Sequence, residues 1–329
     1  MPQQLEFRAS NAVRSILADI GRTEDVRFSP DNGLLALAGF GHNHLLILRI
    51  AVDDSGGRPL VVADDFMELT SEGIGSAHGV DFLGDRTLAV ANRDGLVTVL
   101  EIPAGELAGR HCHIDPLQEL AGGMFCKLKS PGSIAARRDV DGRISLLVCN
   151  NYTHRVTQHV VDPVRGYRIR RNRVLLERSL DIPDGIAVSY DERWIAVSNH
   201  NTHEVLLFDA AAPLGPWTEP AGTLTDVEYP HGLRFTPDDR HLLVADAGAP
   251  LIHVYERGAG WTGTREPIRS VEVLDEETFI RGRSNPQEGG PKGLDIDRSG
   301  KIVAATCEEQ PLAFFALDDM IGAMAAAAE

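Results

Sequence analysis

The chain has 329 residues, of which 43% are hydrophobic, and its formal net charge at pH 7 is −16. This length is compatible with one large domain, because all-β folds often use such lengths as a single unit. The acidic balance argues against a nucleic-acid partner, and no apolar run approaches the roughly 18 residues that cross a bilayer.

The N-terminal stretch MPQQLEFRASNAVRS lacks the apolar core of a secretory signal. Cys112, Cys126, Cys149 and Cys307 show no C-x-x-C spacing, so we interpret all four as reduced thiols in a reducing compartment. These features predict a cytoplasmic protein that has neither a membrane nor a nucleic acid as its partner.

One pattern recurs along the chain at intervals of about 50 residues: three short apolar runs separated by turns. Its clearest copy is Tyr229 to Glu256, where Leu233 and Phe235 alternate with polar residues and a Pro-Asp-Asp turn follows. The copies begin at Glu24, His78, Pro131, Asp184, His231 and Lys292. A further apolar segment follows most copies and predicts a fourth strand: Leu60 to Phe66, Leu117 to Ala121, Arg173 to Arg178, Ala221 to Val227 and Val271 to Leu274.

Four antiparallel strands with this period form a propeller blade. The sequence therefore predicts an all-β fold, a six-bladed β-propeller of four-stranded antiparallel blades in which residues 1–329 make a single domain. The last copy lacks its own outer strand. We expect Val13 to Ile20 to be the strand that completes blade six and closes the ring, since closure removes exposed sheet edges. Asp318 to Glu329 is expected to be a short helix or tail.

Two phrases, VCNNYTHRVTQHV (Val148 to Val160) and VSNHNTHEVLLFD (Val197 to Asp209), resemble NHL repeats. The D-G and H-G starts of the first strands resemble the broader six-bladed superfamily of gluconolactonases, the senescence marker protein and paraoxonases. The resemblance covers nearly the whole chain as architecture. It implies a lactonase-like hydrolase that acts on a small-molecule substrate.

The first residues of the innermost strands open on one mouth of the propeller channel, so the six starts are expected to form a ring there. Each start except Glu24 is followed by Gly, which permits close backbone approach. The plainer interpretation is that Gly serves the turn and the preceding residue is merely exposed. Four of the starts can ligate a metal ion: Glu24, His78, Asp184 and His231.

The gluconolactonase resemblance implies one calcium ion held by Glu, Asn and Asp at these starts. Glu24 matches the expected Glu, but Pro131 and Asp184 stand where Asn is expected and His231 where Asp is expected. Calcium prefers six to eight oxygen ligands. Two histidines with two carboxylates instead predict, by ligand type, a divalent zinc, iron or manganese ion.

The same ring allows chemistry without a metal. His231 could act as a general base oriented by Asp184 or Asp246, and Lys292 could stabilise an oxyanion or supply a proton. With His78, this gives the predicted catalytic set His231, Lys292, Asp184 and His78. The chain has no G-x-S-x-G context and no Gly-rich phosphate loop, which excludes a serine hydrolase and a nucleotide cofactor.

The ends of the second strands provide a second ring beside the first. We expect substrate contacts from this ring and from the residues that follow it: Asn92, Arg93, Asn150, Asn199, His200, Asp246 and Glu308, with Asn151 as a further contact at the rim. Because Asn and Asp bond their own backbone in turns, a structural role is the alternative. A third set, His44, His154 and His203, resembles the NHL histidine and is expected to brace neighbouring strands.

Three functions are compatible with these patterns. The first is a lactonase-like hydrolase with its active site at the channel mouth, with or without a metal ion; the second is a metal-free lyase, isomerase or cyclase. The third is a non-catalytic interaction scaffold, which would need an apolar or strongly charged rim. The mixture of His, acidic residues and Lys at the mouth favours a catalytic function over a scaffold. The long polar loop Glu276 to Gly290 is predicted to form a lid or rim.

Overall fold

The computed structural model describes residues 3–121 and 128–322, and within them the chain forms six sheets in succession, which are antiparallel except where edge strands are added in parallel to the first and the fourth. The first sheet comprises β1 (Phe7–Ala9), β2 (Thr23–Phe28), β3 (Leu34–Gly39), β4 (His44–Asp53) and β5 (Leu60–Thr70), with α1 (Asn11–Asp19) between its first two strands. The second contains β6 (Ala77–Phe82), β7 (Thr87–Asn92), β8 (Leu96–Glu101) and β10 (Gln118–Ala121), while β9 (Arg110–His113) extends the first.

The remaining sheets repeat this plan. The third contains β11 (Pro131–Arg138), β12 (Ile144–Asn150), β13 (Arg155–Asp162) and β14 (Arg168–Leu176). The fourth contains β15 (Pro183–Val188), β16 (Trp194–Asn199), β17 (Glu204–Asp209) and β18 (Gly222–Leu224). The fifth contains β19 (Pro230–Phe235), β20 (His241–Asp246), β21 (Leu251–Glu256) and β23 (Arg269–Glu272), while β22 (Gly263–Arg265) extends the fourth. After α2 (Glu276–Arg281) the sixth contains β24 (Pro291–Ile296), β25 (Ile302–Cys307) and β26 (Ala313–Ala316), and α3 (Leu317–Ile321) follows.

The sheets are arranged as a ring around a central channel. Each innermost strand packs beside the innermost strand of the next sheet, and β24 packs beside β2, so the last blade meets the first. Six apolar clusters fill the spaces between neighbouring blades, because each sheet buries side chains on both of its faces. The predicted six-bladed β-propeller is confirmed.

The predicted N-terminal closing strand is not confirmed. Residues Asn11–Asp19 form a helix that is capped by the Ser10 hydroxyl and that buries Val13 and Leu17 in the cluster between blades six and one. The preceding strand β1 pairs in parallel with β5 of blade one instead. Ahead of β1, Leu5 N donates a backbone hydrogen bond to Phe314 O of blade six at 2.8 Å, and the Phe7 ring packs against the Phe314 ring with the centroids 5.1 Å apart. Apolar packing, rather than an added strand, joins the two ends of the ring.

Other parts of the structure can be compared with the predictions as follows. The C-terminal helix begins at Leu317, and residues 323–329 of the predicted tail lie outside the described residues. Cys112, Cys149 and Cys307 are free thiols, whereas Cys126 falls outside the described part of the chain. None of the described helices is long and apolar enough to cross a membrane.

Candidate functional site at the mouth of the channel

A β-bulge lies near the start of every innermost strand. In each blade the pairing register between the first and second strands shifts at the second residue of the inner strand. A bulge adds a residue that the partner strand does not match, and it re-aims the side chains around it. The residues placed at the bulges are Glu24, His78, Gly132, Asp184, His231 and Lys292.

The strand pairing at the bulge shows that one position of the predicted ring, Pro131, is wrong. Pro131 pairs with Asn150 just as Pro183 pairs with Asn199, so Gly132, not Pro131, is the counterpart of Asp184. A Cβ atom at Gly132 would lie 2.1 Å from Asn151 Oδ1. Blade three therefore contributes no side chain from its inner strand, and the Asn151 amide fills the space instead.

Glycines that follow the ring residues bring the blades together. A Cβ atom at Gly185 would lie 1.9 Å from the His231 carbonyl oxygen, and one at Gly232 would lie 2.4 Å from the Lys292 carbonyl oxygen. These contacts are to backbone atoms of the next blade, which cannot move aside singly. The sequence-predicted role of Gly in close backbone approach is confirmed, and the channel is narrow enough for side chains from opposite blades to meet.

Glu24, His78 and His231 converge on one point at this mouth. The Glu24 Oε2 atom lies 3.3 Å from His231 Nε2 and 3.6 Å from His78 Nε2, and these ligand atoms all lie within 4.8 Å of one another. The three residues are only 1%, 2% and 5% exposed, respectively. Glu24 Oε2 is buried and has no hydrogen-bond partner, which leaves its acceptor capacity directed at the two imidazoles.

Asp184 completes this group from the fourth blade. Its Oδ2 atom lies 3.1 Å from His231 Nε2 and its Oδ1 atom 3.9 Å from His78 Nε2. The Asn151 amide donates a hydrogen bond to Asp184 Oδ1 at 2.7 Å. Arg93 approaches from the rim, where its Nη2 atom donates to His78 Nε2 at 2.6 Å. All four residues predicted as metal ligands are thus brought together.

Lys292 lies on the other side of Glu24 within a cluster of carboxylates. Its Nζ atom is 3.4 Å from Glu24 Oε1, 3.0 Å from Glu288 Oε2 and 3.5 Å from Glu308 Oε2. Arg22 pairs with both Glu24 and Glu308. A Lys side chain that is 2% exposed needs such partners, because an unpaired buried charge is costly.

The surroundings of the two histidines shift their pKa values in opposite directions. Burial and the Arg93 cation lower the pKa of His78 to about 3, which keeps this imidazole neutral. Burial also opposes the charged form of His231, but Asp184 and Glu24 outweigh it and raise the pKa of His231. Burial by itself raises the pKa of the Glu24 carboxyl, yet the positive charges around it, that of Lys292 foremost, outweigh burial and hold this pKa well below its usual value.

The predicted second ring divides into two groups. Arg93, His200 and Glu308 do lie against the cluster; His200 Nε2 is 3.3 Å from Glu288 Oε1. The four strand-end residues Asn92, Asn150, Asn199 and Asp246 instead hold the loop before the inner strand: their side-chain oxygens accept from the backbone N–H groups of Gly75, Lys129, Asp181 and Glu228, respectively. A substrate contact from these four stays a prediction, and their observed contacts are those of the structural alternative.

The third histidine set has bracing contacts. His154 Nδ1 accepts a hydrogen bond from Ile182 N at 3.0 Å, and His203 Nδ1 pairs with the Glu228 carbonyl oxygen. Both contacts join one blade to the loop that enters the next blade. His44 Nδ1 pairs with Glu68 Oε1 at 2.6 Å within blade one.

Sequence reasoning missed two charged members of the cluster, Arg22 and Glu288. Arg22 directly precedes β2, outside the repeated pattern, and nothing in its spacing marks it. Glu288 belongs to the loop that was predicted to be a lid or rim, and the structure does place this loop at the mouth: Glu288 contacts Lys292 and His200. Gly289 N and Gly290 N both donate to the Ala247 carbonyl oxygen at 2.9 Å.

Comparison with known proteins supports the architecture only. No protein-family model matches the chain, and no curated protein matches its sequence. Among solved structures, a chain from the crystal structure of the mitotic checkpoint complex is similar, with a TM-score of 0.53 and 11% identity over 89% of this chain and 74% of that one. At this identity the likeness shows the fold alone. Fold and site together define a six-bladed β-propeller with a buried Glu/His/His group at its channel mouth; the NHL and gluconolactonase resemblance stays a prediction.

Proposed function

We propose that this protein binds one divalent transition-metal ion through Glu24, His78 and His231 and uses it to hydrolyse a small lactone or ester. Four tetrahedral ligands placed 2.0–2.1 Å from a zinc ion lie about 3.4 Å from one another. The distances from Glu24 Oε2 to the two Nε2 atoms, 3.3 and 3.6 Å, match that separation. The convergence of the buried Glu24 Oε2 atom and two imidazole nitrogens, all within 4.8 Å of one another, is the observation that carries the proposal.

The donor set favours zinc, iron or manganese over calcium. Calcium requires six to eight oxygen ligands, whereas two of the three converging atoms here are imidazole nitrogens. An ion of this class acts as a Lewis acid and lowers the pKa of a bound water. Asp184 lies beside both histidines, where its carboxylate can accept a proton from a water that attacks a carbonyl carbon.

Arg93 would have a different role in the ion-free site and in the ion-bound site. Its Nη2 atom donates to the His78 Nε2 lone pair that an ion would use, so ion binding requires the guanidinium to swing outwards. Its side chain is partly exposed and lies over the Tyr152 ring, 5.5 Å from the centroid. From the rim, the same guanidinium can donate to the oxyanion that forms when a carbonyl is attacked.

The first prediction concerns metal content. Wild-type protein loaded with Zn²⁺ and desalted should retain close to one equivalent by elemental analysis, and Co²⁺ should give a visible d–d spectrum. Glu24→Gln or His78→Ala should reduce the affinity by roughly 10- to 100-fold or more, because the first replaces an anionic ligand by a weaker neutral one and the second removes a ligand. His111→Ala is the matched control, since His111 also pairs with a carboxylate, Glu68, but lies on the outer strand β9. Equal metal retention by all four proteins would contradict the site.

Hydrolysis is tested separately on the loaded protein with a panel of lactones and aryl esters. Turnover that disappears on chelation and in the Glu24→Gln variant supports the hydrolase. Metal binding without turnover of any lactone or ester would keep the metal site and overturn the hydrolase.

One observation favours a metal-free lyase, isomerase or cyclase as the second candidate. The Arg93–His78 hydrogen bond and the position of His231 between two carboxylates form a complete acid–base network without an ion. In this case His231 acts as the acid–base group and Lys292 stabilises developing negative charge. Turnover that survives complete metal removal but is lost in His231→Ala would select this candidate over the first. If no substrate class is turned over by the wild-type protein and partner binding survives in His231→Ala, an interaction scaffold is favoured instead.

A second prediction concerns access to the cluster. Glu288 ties its loop to Lys292 and to His200, on blades six and four. Replacing Glu288 by Gln weakens both ion pairs, so Zn²⁺ uptake measured by stopped-flow with a fluorescent chelator should accelerate severalfold. Glu276→Gln, an exposed change on α2 of the same segment, should leave the rate unchanged. An unchanged rate in Glu288→Gln would show that ions enter by another route.

A further inference from the structure

The opposite end of the channel contains a second cavity, which belongs to none of the predicted rings. Its volume is about 350 Å³, and residues from all six blades line it. These residues lie at the far ends of the innermost strands, beyond the bulges that hold the first site. The volume falls within the roughly 300–1,000 Å³ range of pockets that bind small molecules.

A buried ionic layer separates this cavity from the Glu/His/His group. Arg27 Nη1 lies 3.4 Å from Asp25 Oδ1, and Arg27 Nε lies 3.3 Å from Asp81 Oδ1. Arg234 Nε lies 3.0 Å from Asp295 Oδ1. Asp25 directly follows Glu24 in the chain, and it also accepts from Val26 N and Val80 N. The layer therefore closes the middle of the channel and forms the floor of the second cavity.

The wall of the cavity is rich in guanidinium groups although the chain is strongly acidic. Its lining contains five arginines, Arg27, Arg137, Arg138, Arg234 and Arg298, against three acids, Asp81, Glu192 and Asp295. Two of the acids are already engaged by backbone donors: Asp81 accepts from Ala136 N and Asp295 accepts from Phe28 N. Asp81 and Asp295 also pair with Arg27 and Arg234, and Asp25 and Asp139 add charge from outside the lining. Arg138 donates to the carbonyl oxygens of Gly142 and Leu83 and so brings a cation to the lining without using one of these carboxylates.

Arg137 in particular has donor capacity to spare. Its Nε atom is buried without a hydrogen-bond partner, and the Glu192 carboxylate lies 3.6 Å from that atom. Its Nη2 atom makes a long hydrogen bond to Asp139 at 3.3 Å. A planar guanidinium with open Nε and Nη donors matches a carboxylate in a two-point arrangement.

The rest of the wall is apolar. Phe82, Ile186, Phe235 and Ile296 line the cavity, and the half-exposed ring of Tyr190 stands at its edge. Apolar walls around a few convergent polar groups are the usual composition of a ligand pocket. We propose that this cavity is a second ligand site, which binds a small organic anion that has a carboxylate head and an apolar body.

The site is tested by isothermal titration with sodium benzoate, sodium hexanoate, phenyl phosphate and the neutral analogue benzamide. At least one carboxylate should bind saturably, and benzamide should bind roughly tenfold more weakly or not at all, because it lacks the charge that the arginines recognise. Stronger binding of phenyl phosphate than of both carboxylates would overturn the carboxylate assignment. Absence of saturable binding by every carboxylate, or equal binding of benzamide, would overturn the site.

Two variants locate the binding. Arg137→Ala should weaken the better carboxylate by roughly tenfold, whereas Arg143→Ala, an exposed arginine paired with Asp141 on the neighbouring turn, should leave it unchanged. Arg137 also lines a smaller neighbouring cavity of about 170 Å³. Ala136→Phe therefore provides the second variant, since Ala136 lines the larger cavity, and the added ring should abolish binding there. Circular dichroism verifies that each variant is folded. Binding that persists in both Arg137→Ala and Ala136→Phe would place the ligand elsewhere.

Discussion

Replacing Lys292 by methionine is expected to lower the free energy of unfolding by about 3–5 kcal/mol, the range found when one partner of a buried ion pair is removed. Lys292 is 2% exposed, and its ammonium group lies within 3.5 Å of carboxylate oxygens from Glu24, Glu288 and Glu308. Methionine has a similar length and fills the same space, so the change removes charge rather than volume. Equilibrium urea denaturation followed by circular dichroism measures the effect.

A matched lysine on the same blade provides the control. Lys301 also pairs with a carboxylate, that of Asp54, but both side chains are more than half exposed. Solvent screens such a pair, and Lys301→Met should leave the free energy of unfolding essentially unchanged. If the two variants are equally stable, the ionic cluster at the mouth does not depend on Lys292.

The double variant separates lost charge from lost packing. In Lys292→Met the Glu24 carboxylate keeps Arg22 and His231 but loses its buried ammonium partner. Adding Glu24→Gln removes the negative charge that Lys292 no longer balances, so the two changes should be less than additive, with a coupling energy of about 1–3 kcal/mol. Simple additivity would show that Glu24 and Lys292 act independently.

Most of the architecture could be predicted because it repeats. Each blade needs three or four apolar runs with turns between them, and this need leaves the same pattern in the sequence six times. The ring positions of His78, Asp184, His231 and Lys292 follow from that repetition once the copies are aligned. Pro131 was misplaced by one residue because the copies were aligned on the Gly that follows each ring residue. In blade three the ring residue is itself a glycine, Gly132, so that alignment shifted the copy by one position.

The N-terminal segment shows a different limitation. Val13 and Leu17 are four residues apart, and Ser10 stands at the position of a helix N-cap, so the helical signal was present. In so short a segment, apolar residues also fit a strand, and the need to complete blade six favoured that interpretation. Packing against the apolar cluster between blades one and six decides the outcome, and sequence alone does not reveal that packing.

Long-range contacts explain what could not be predicted within the site. Glu288 reaches Lys292 and His200 from a loop with no repeated counterpart, and Asn151 reaches Asp184 from the neighbouring blade. Both contacts depend on how closely the blades approach one another. That approach is set by the glycines next to the ring, whose presence is visible in the sequence but whose neighbours are not.

Replacing Gly185 by alanine is the second large effect that we expect. The added Cβ atom would lie 1.9 Å from the His231 carbonyl oxygen and 3.0 Å from Ser198 Oγ. Because the nearer contact is to backbone, blades four and five must move apart, at a cost of about 3 kcal/mol in the free energy of unfolding. The same movement displaces the His231 imidazole from Glu24 and Asp184, so Zn²⁺ retention should fall together with stability.

Alanine substitutions at two other glycines should have smaller effects and serve as comparisons. At Gly132 the added Cβ atom would meet the Asn151 side chain at 2.1 Å, and since a side chain can rotate away, Gly132→Ala should cost only about 1 kcal/mol. At Gly84 no atom lies within 4 Å of the added Cβ, so Gly84→Ala should be neutral or stabilising by a few tenths of a kcal/mol. The loss of unfolding free energy, measured by urea denaturation, should decrease in the order Gly185→Ala, Gly132→Ala, Gly84→Ala. The loss of bound zinc, measured by elemental analysis, should follow the same order. A stable Gly185→Ala protein that retains its zinc would show that close contact between blades four and five is not what holds His231 in the site.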